Sequence, residues 1–169
     1  EKDNLLIKGN GTTTIYGYGA GNGFFDVKAK GVTIQGIVFI DNNPKNNLTY
    51  DGSVNGWGVR FAGSAAQGGV VDNCVFNNFN QAVVVSSCDY ITVKNSAFYG
   101  GYATKLINDP TVNKEQGSKV ISVMGSHYIT VLNNTFAGVV LDAISIAGGS
   151  GDAKILNNTF INNVYSIFF

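Results

Sequence analysis

The stretch ITVLNNTF, Ile129 to Phe136, decides the fold because close copies of it recur along the chain. Within it the apolar residues Ile129 and Val131 alternate with polar ones, which is the period of a β-strand. Four further segments follow its pattern: VTIQGIVF from Val32, GVVDNCVF from Gly69, ITVKNSAF from Ile91 and AKILNNTF from Ala153. A recurrence of this kind, with a shortest unit of about 22 residues, predicts a chain built from stacked structural repeats.

A second apolar run follows each copy, so each unit holds at least two strands, and no segment has the spacing of an amphipathic helix. Aligned on their last residue, the copies give an aromatic column: Phe39, Phe76, Phe98, Phe136 and Phe160. Three positions earlier stands an amide column: Asn73, Asn95, Asn133 and Asn157. We expect about six coils, in which like residues stack at the strand spacing to form a phenylalanine stack and a buried asparagine ladder. Gly69, where Val or Ile is expected, predicts a bulge or a weakened coil.

The composition favours one globular domain over residues 1–169. Apolar residues make up 44% of the 169, whereas charged residues make up only 13%. Eleven basic residues balance eleven acidic ones, so we expect no nucleic-acid partner, and no apolar run is long enough for membrane insertion. The strand-like apolar residues at the end of the sequence favour a fragment of a longer chain.

The chain has two cysteines, Cys74 and Cys88, and neither belongs to a CxxC pair. Two cysteines are too few for a disulfide scaffold, and their spacing is not that of a metal site. Two buried free thiols are favoured over a disulfide, and we predict no metal and no cofactor.

At this point the sequence resembles a known family. ITVKNSAF, ITVLNNTF and AKILNNTFINN resemble coils of parallel β-helix proteins of the pectate-lyase-like superfamily. NLLIKGNGTTTIYGYG, followed by VTIQGIVFIDNN, is similar to adhesin-like surface proteins of methanogenic archaea. The resemblance covers essentially the whole chain and implies an all-β, single-stranded, right-handed parallel β-helix (solenoid) in an extracellular, cell-surface protein. Its motifs consist of core residues, so they specify the fold better than the activity.

Two long insertions, over residues 40–58 and 99–119, leave the coil at the same corner, two coils apart. We expect them to lie side by side as a loop-decorated face, because loops on a rigid scaffold commonly hold binding residues. Aromatic rings beside amides and carboxylates suit glycan or protein recognition, although such rings also pack loops onto a core. The candidate ligand-binding residues are Tyr50, Asp51, Trp57, Tyr99, Tyr102 and Asp109. Asn47, in the first insertion, is the candidate glycosylation site.

Two pairs of outward residues align on neighbouring coils. Asp26 and Arg60 are expected to form a surface salt bridge, and His127 is expected to lie near Asp89. A Ser-His-Asp arrangement is disfavoured because Ser126 is only a sequence neighbour of His127. The acidic residues do not gather in one column, as a paired-carboxylate glycosidase would require, so a catalytic role stays open but is not the favoured one.

The sequence therefore predicts a non-catalytic, adhesin-like protein whose loop-decorated face binds a glycan, a cell-wall polymer or another protein. One alternative is a polysaccharide lyase or glycoside hydrolase on the same fold. The other is a self-assembling filament or surface-layer component that associates end to end, because open strand edges invite pairing with another chain.

Overall fold

A computed structural model of the protein describes residues 2–17, 23–42, 56–100, 119–139 and 141–169. These residues contain no α-helix, and none of them form a helix of the length and apolarity needed to cross a membrane. One short 3₁₀ turn, Ser64–Ala66, interrupts the strands. The strands are β1 Leu6–Gly17, β2 Phe25–Val27, β3 Thr33–Asp41, β4 Trp57–Ala62, β5 Val70–Asp72, β6 Val75–Asn77, β7 Gln81–Ser86, β8 Thr92–Lys94, β9 Ala97–Tyr99, β10 Lys119–Met124, β11 Thr130–Leu132, β12 Thr135–Ala137, β13 Asp142–Ala147, β14 Lys154–Leu156, β15 Thr159–Ile161 and β16 Tyr165–Phe168.

The strands wind into six coils with three faces. Strands β5, β8, β11 and β14 form the first face, β6, β9, β12 and β15 the second, and β2, β4, β7, β10, β13 and β16 the third. Strands β1 and β3 run through the corner between the first two faces and join them into one sheet. Every strand pairing among the described residues is parallel. The predicted parallel β-helix of about six coils is confirmed.

The phenylalanine column forms the predicted stack inside the coils. Successive ring centroids from Phe39 to Phe160 are 4.7, 5.1, 4.8 and 5.2 Å apart, and the ring planes differ by at most 9°. The first four rings are at most 1% exposed. Each phenylalanine occupies the same position of its coil, so the stacked rings hold neighbouring coils in register.

The predicted asparagine ladder lies on the outside of the molecule, so the prediction that it is buried is wrong. Asn73, Asn95, Asn133 and Asn157 are exposed, and all four have left-handed backbone conformation, with φ between 51° and 57°. Two of them still touch across coils, because Asn133 Nδ2 donates to Asn95 Oδ1 over 3.4 Å. Their main role is to turn the chain between the first and second faces, since asparagine tolerates the left-handed region better than most residues.

The buried ladder occupies the next position, which holds Cys74, Ser96, Asn134 and Asn158. Each of the later side chains accepts a backbone N–H of the coil before it. Ser96 Oγ accepts from Cys74 N over 3.1 Å, Asn134 Oδ1 from Ser96 N over 2.9 Å, and Asn158 Oδ1 from Asn134 N over 2.8 Å. The ladder therefore satisfies backbone groups that the corner removes from the sheet.

Gly69 does not weaken its coil, so the predicted bulge is wrong. Strand β5 pairs in continuous register with β3 and with β8. A Cβ atom on Gly69 would clash with the ring of Phe61, which is fully buried. The glycine makes room for that ring, so the core volume is conserved while the backbone stays regular.

Both cysteines are buried and free, as predicted. Burial raises the pKa of Cys74, and it raises the pKa of Cys88 to about 11. Both thiols are therefore protonated at neutral pH and unsuited to nucleophilic chemistry.

Candidate functional site

The corner that leads into the first face has an unusual backbone in every coil. One residue per coil there has a positive φ, between 54° and 73°. Glycine, asparagine and aspartate occupy this column in four coils, and these residues tolerate the left-handed region. Tyrosine occupies it in the other two, at a cost of about 1–2 kcal/mol each. In order along the chain the column is Asn4, Gly31, Gly68, Tyr90, Tyr128 and Asp152.

The two tyrosine rings stack on each other in solvent. Their centroids are 4.8 Å apart and their planes differ by 8°. Tyr90 is 55% exposed and Tyr128 is 50% exposed. A half-exposed ring contributes only part of the folding free energy that a buried ring contributes. Packing against the core therefore does not explain why tyrosine occupies these strained positions.

The tyrosines form one wall of an open groove of about 610 Å³ across three coils. Residues Ile91 and Ile129 point into the core, so the threonines that follow them point outward. Thr92, Thr130 and Lys154 pair in register across β8, β11 and β14 and form the floor. We call this surface the tyrosine groove; its lining residues are Tyr90, Thr92, Tyr128, Thr130, Asp152, Ala153 and Lys154.

A short serine ladder fixes the corner beneath the groove. Ser126 Oγ accepts from Cys88 N over 3.1 Å, and Ser150 Oγ accepts from Ser126 N over 3.2 Å. The Ser126 hydroxyl itself donates to Met124 O over 3.0 Å. These hydrogen bonds connect three coils, so the tyrosines stand on a rigid backbone.

His127 lies beside Asp89 as predicted. His127 Nδ1 is 3.7 Å from Asp89 Oδ1, and the His127 backbone N–H donates to the same oxygen over 2.8 Å. Ser126 is fully buried and its hydroxyl is used within the corner. Ser126 is therefore not available to His127 as a nucleophile, and the Asp89 carboxylate accepts a backbone N–H.

The predicted salt bridge between Arg60 and Asp26 is confirmed on the third face. The guanidinium donates to both carboxylate oxygens over 2.8 Å, and its hydrogen bond is the main cause that lowers the pKa of Asp26. The same guanidinium lies 4.0 Å from the centre of the Trp57 ring. One of the predicted ligand-binding rings thus packs against an arginine at the surface of the coil.

The remaining residues of the predicted loop-decorated face are mostly beyond the described part of the chain. Tyr99, at the end of β9, is 45% exposed. The loop-decorated face stays a prediction. The residues that lie outside the described ranges are Asn47, Tyr50, Asp51, Tyr102 and Asp109.

The acidic side chains that the structure describes are dispersed. Asp41 and Asp142 are buried, but Asp41 ends a strand of the second face and Asp142 begins one of the third. Burial raises the pKa of Asp142. Among the described residues, no three His, Cys, Asp or Glu side chains gather in a group that could hold a metal ion.

Sequence reasoning placed His127 near Asp89 but assigned no role to Tyr90 and Tyr128, the residues that follow them. The signal was a column of glycine, asparagine and aspartate interrupted by two tyrosines. This signal can be interpreted only once the backbone conformation is known, because tyrosine is unusual in this column only if φ is left-handed.

Comparison with known proteins identifies the fold family. No curated protein and no solved structure matches the chain. A family model described as a right-handed beta helix region matches residues 3–169. The parallel coils, each stacked on its neighbours, agree with that fold. The chain belongs to the right-handed β-helix family.

Proposed function

We propose that the protein is a non-catalytic, adhesin-like β-helix at the cell surface, which binds a glycan, a cell-wall polymer or another protein in the tyrosine groove. The observation that supports the proposal best is the exposed stack of Tyr90 on Tyr128 at left-handed positions. Strained residues whose cost is not offset by burial are typical of binding sites. The resemblance to adhesin-like surface proteins supports the extracellular location.

The lining of the groove fits binding better than chemistry. It offers two phenol rings, two threonine hydroxyls, one carboxylate and one ammonium group. Ring faces and hydroxyl groups recognise amphipathic ligands, and rigid aromatic side chains lose little entropy when they bind. Asp152 is the one carboxylate that lines the groove, whereas the glycosidases that the alternative envisages need a pair.

The proposal is tested with Tyr90→Asn, Tyr128→Asn and the double variant. Asparagine suits the left-handed backbone, so these variants are expected to keep the fold, which circular dichroism checks. Binding to a glycan array and to immobilised cell-wall polysaccharide is then compared with the parent protein. We expect the double variant to lose the binding that the parent shows.

Tyr99→Asn is the comparison variant, because Tyr99 is a similarly exposed tyrosine that lies outside the groove and belongs to the predicted loop-decorated face. Loss of binding in Tyr99→Asn, with full binding in the double variant, would refute the groove and favour the loop-decorated face. Release of unsaturated or reducing sugar ends during the incubation would favour the alternative of a polysaccharide lyase or glycoside hydrolase.

A second candidate function is end-to-end self-association. Strands β14, β15 and β16 each pair on one side only within the described part of the chain. Their coil exposes apolar side chains, including Leu156, Ile161 and Phe168 at 49%, 46% and 51%. An edge of this kind pairs either with further coils of a longer chain or with another copy of this chain, and self-association is the second case. Sedimentation velocity over a hundredfold concentration range tests it, and a constant monomer would exclude it.

A further inference from the structure

We infer that Tyr90 and Tyr128 form a site of oxidative cross-linking, at which a peroxidase and hydrogen peroxide join the two rings by a carbon–carbon bond and so tie neighbouring coils together. The two residues lie just before β8 and β11, which pair in register. The inference goes beyond the proposed binding function and does not depend on it, because the reaction involves no ligand of the groove.

The reaction removes two hydrogen atoms from the pair. Each phenol hydroxyl gives one electron and its proton to the oxidant, and the resulting phenoxyl radical shares its unpaired electron with the ring carbons ortho to the oxygen. Two ortho carbons, one from each ring, form the new bond. The hydrogen atom that each of them carries then moves to the phenol oxygen, which restores both aromatic rings. Hydrogen peroxide accepts the two electrons and two protons and becomes two water molecules, so atoms and electrons balance.

The stack holds the two rings in position to couple. Their centroids are 4.8 Å apart and their planes differ by 8°. Tyr90 and Tyr128 occupy the same position in consecutive coils and have nearly equal φ values, 61° and 58°, so the side chains leave the backbone in the same direction. Groups held side by side react at an effective concentration far above that of a dissolved protein, so coupling within the pair is favoured over coupling between molecules.

Both rings are accessible to an oxidant and free to move. Tyr90 is 55% exposed and Tyr128 is 50% exposed. A carbon–carbon bond is much shorter than the ring spacing, so the rings must tilt towards each other, and half-exposed rings are not held by packing on every side. The backbone beneath them stays fixed, because the Tyr90 N–H donates to the carbonyl of His127 over 3.1 Å.

The other exposed tyrosines that the structure describes have no tyrosine beside them. A cross-link between coils needs tyrosine at the same position of both coils, and the strand register gives each of these residues a different neighbour. They are Tyr16 beside Ile40, Tyr99 between Asn77 and Ala137, and Tyr165 beside Asp142. Oxidation is therefore expected to give one internal product among the described tyrosines.

The bond changes how the coils come apart. Each coil of a solenoid contacts only its neighbours, so coils can separate locally. A bond from Tyr90 to Tyr128 closes a loop of about 38 residues in the unfolded chain, as a disulfide at these positions would. The restricted unfolded chain is expected to raise the urea midpoint of unfolding by about 1–2 M. Thiol reductants do not break this link, because it contains no sulfur.

The test oxidises the purified protein at low concentration with a peroxidase and hydrogen peroxide. Dityrosine fluorescence follows the reaction, intact mass counts the hydrogen atoms lost, and mass spectrometry of a proteolytic digest locates the linked peptides. We expect a monomer that has lost two hydrogen atoms, with Tyr90 joined to Tyr128, and a rate constant that does not change with protein concentration. A parallel reaction with N-acetyltyrosine shows that the oxidant is active.

Phenylalanine variants separate stacking from chemistry. Tyr90→Phe and Tyr128→Phe keep the ring and remove the hydroxyl, so they are expected to keep the fold and to lower the yield of internal dityrosine at least tenfold. Tyr99→Phe is the matched control, because Tyr99 is 45% exposed and stacks on no tyrosine, and it is expected to cross-link as the parent does. Urea unfolding of the oxidised and unoxidised parent, after the peroxide is removed, gives the shift in midpoint.

The outcomes separate this inference from the proposed function. A digest in which Tyr90 and Tyr128 stay unlinked while N-acetyltyrosine couples would overturn the inference. Internal dityrosine that persists in Tyr128→Phe would overturn it too, as would a cross-linked protein with an unchanged urea midpoint. Each of these results leaves the binding proposal standing, because that proposal is tested by ligand binding of the asparagine variants.

Discussion

Replacement of Asn134 by alanine tests which asparagine column supports the fold. Asn134 is 2% exposed and belongs to the inner ladder. Its Oδ1 accepts from Ser96 N over 2.9 Å, and its Nδ2 donates to Val93 O over 3.0 Å and to Asn158 Oδ1 over 3.1 Å. Alanine removes all three contacts.

The expected cost follows from the buried backbone groups. Asn134→Ala leaves the N–H of Ser96 without its acceptor and the carbonyl of Val93 without this donor. The Val93 carbonyl keeps its place in the pairing of β8 with β11, so only the Ser96 N–H is left unsatisfied. A buried polar group left unsatisfied costs about 1–3 kcal/mol, which predicts a loss of the same size in the free energy of unfolding. The neighbouring Asn133 makes one exposed contact of 3.4 Å, and Asn133→Gly keeps the left-handed turn, so its cost is expected to stay below about 1 kcal/mol.

The assay is unfolding in urea, monitored by circular dichroism. The slope of the unfolding free energy against urea concentration is compared between variants to detect a change of mechanism. Solenoids deviate from two-state unfolding when coils separate, so equal slopes are a condition for comparing midpoints. Asn133→Gly is the matched control, one residue away and of the same parent type. A larger loss in Asn133→Gly than in Asn134→Ala would refute the assignment of the inner ladder.

Three further predictions concern the core, a thiol and a surface pair. Phe98→Ala is expected to reduce the free energy of unfolding by about 3–5 kcal/mol, because the ring is buried between Phe76 and Phe136; a loss below about 1 kcal/mol in urea unfolding would contradict the stack. Because Cys88 keeps its proton to about pH 11 in the fold, whereas an unfolded thiol ionises near about pH 8.5, stability should be unaffected by this thiol below about pH 8.5 and fall from there to about pH 11. Cys88→Ala should flatten that decline in urea titrations, and an unchanged decline would contradict the burial. The lowered pKa of Asp26 means that its ion pair stabilises the fold above about pH 3.9 and is lost as the pH falls further, so Arg60→Ala should cost about 0.2–1 kcal/mol more at pH 7 in low salt than at pH 2, where only the Trp57 contact is removed; equal costs at both would contradict the pair.

The coil architecture could be predicted from the sequence because stacking requires the same residue type at the same position. Phe76 and Phe98 repeat in one column, and they stack in the structure with centroids 5.1 Å apart. The Asp26–Arg60 pair followed from the same alignment and is confirmed. The register between coils could be predicted without knowing the backbone conformation at the corners.

The asparagine ladder was assigned to the wrong column because a corner interrupts the alternation of a strand. Counting forward from the buried Val131 places Asn133 inside, whereas counting backward from the buried Phe136 places Asn134 inside. The left-handed turn at Asn133 adds one outward residue, so the backward count is the correct one. Gly36 at the corresponding position of an earlier coil was the available signal, since glycine and asparagine share a tolerance for that conformation.

The tyrosine groove could not be predicted from residue spacing alone. Tyr90 and Tyr128 read as ordinary residues before a strand, because the strain of their backbone is a property of the corner and not of the residue type. Gly69 is a similar case, since the ring that fills its space, Phe61, comes from the preceding strand of another face. In both cases the packing of neighbouring coils determines the role of the residue.

The most direct test of the account is the free energy of unfolding of the Tyr90→Asn, Tyr128→Asn double variant. If the tyrosines serve binding, relief of backbone strain of about 1–2 kcal/mol per residue should offset most of the lost ring contact, and the variant should unfold within about 1 kcal/mol of the parent. A loss of about 3 kcal/mol or more, comparable to the removal of a buried phenylalanine, would show that the pair stabilises the coils and would contradict the account.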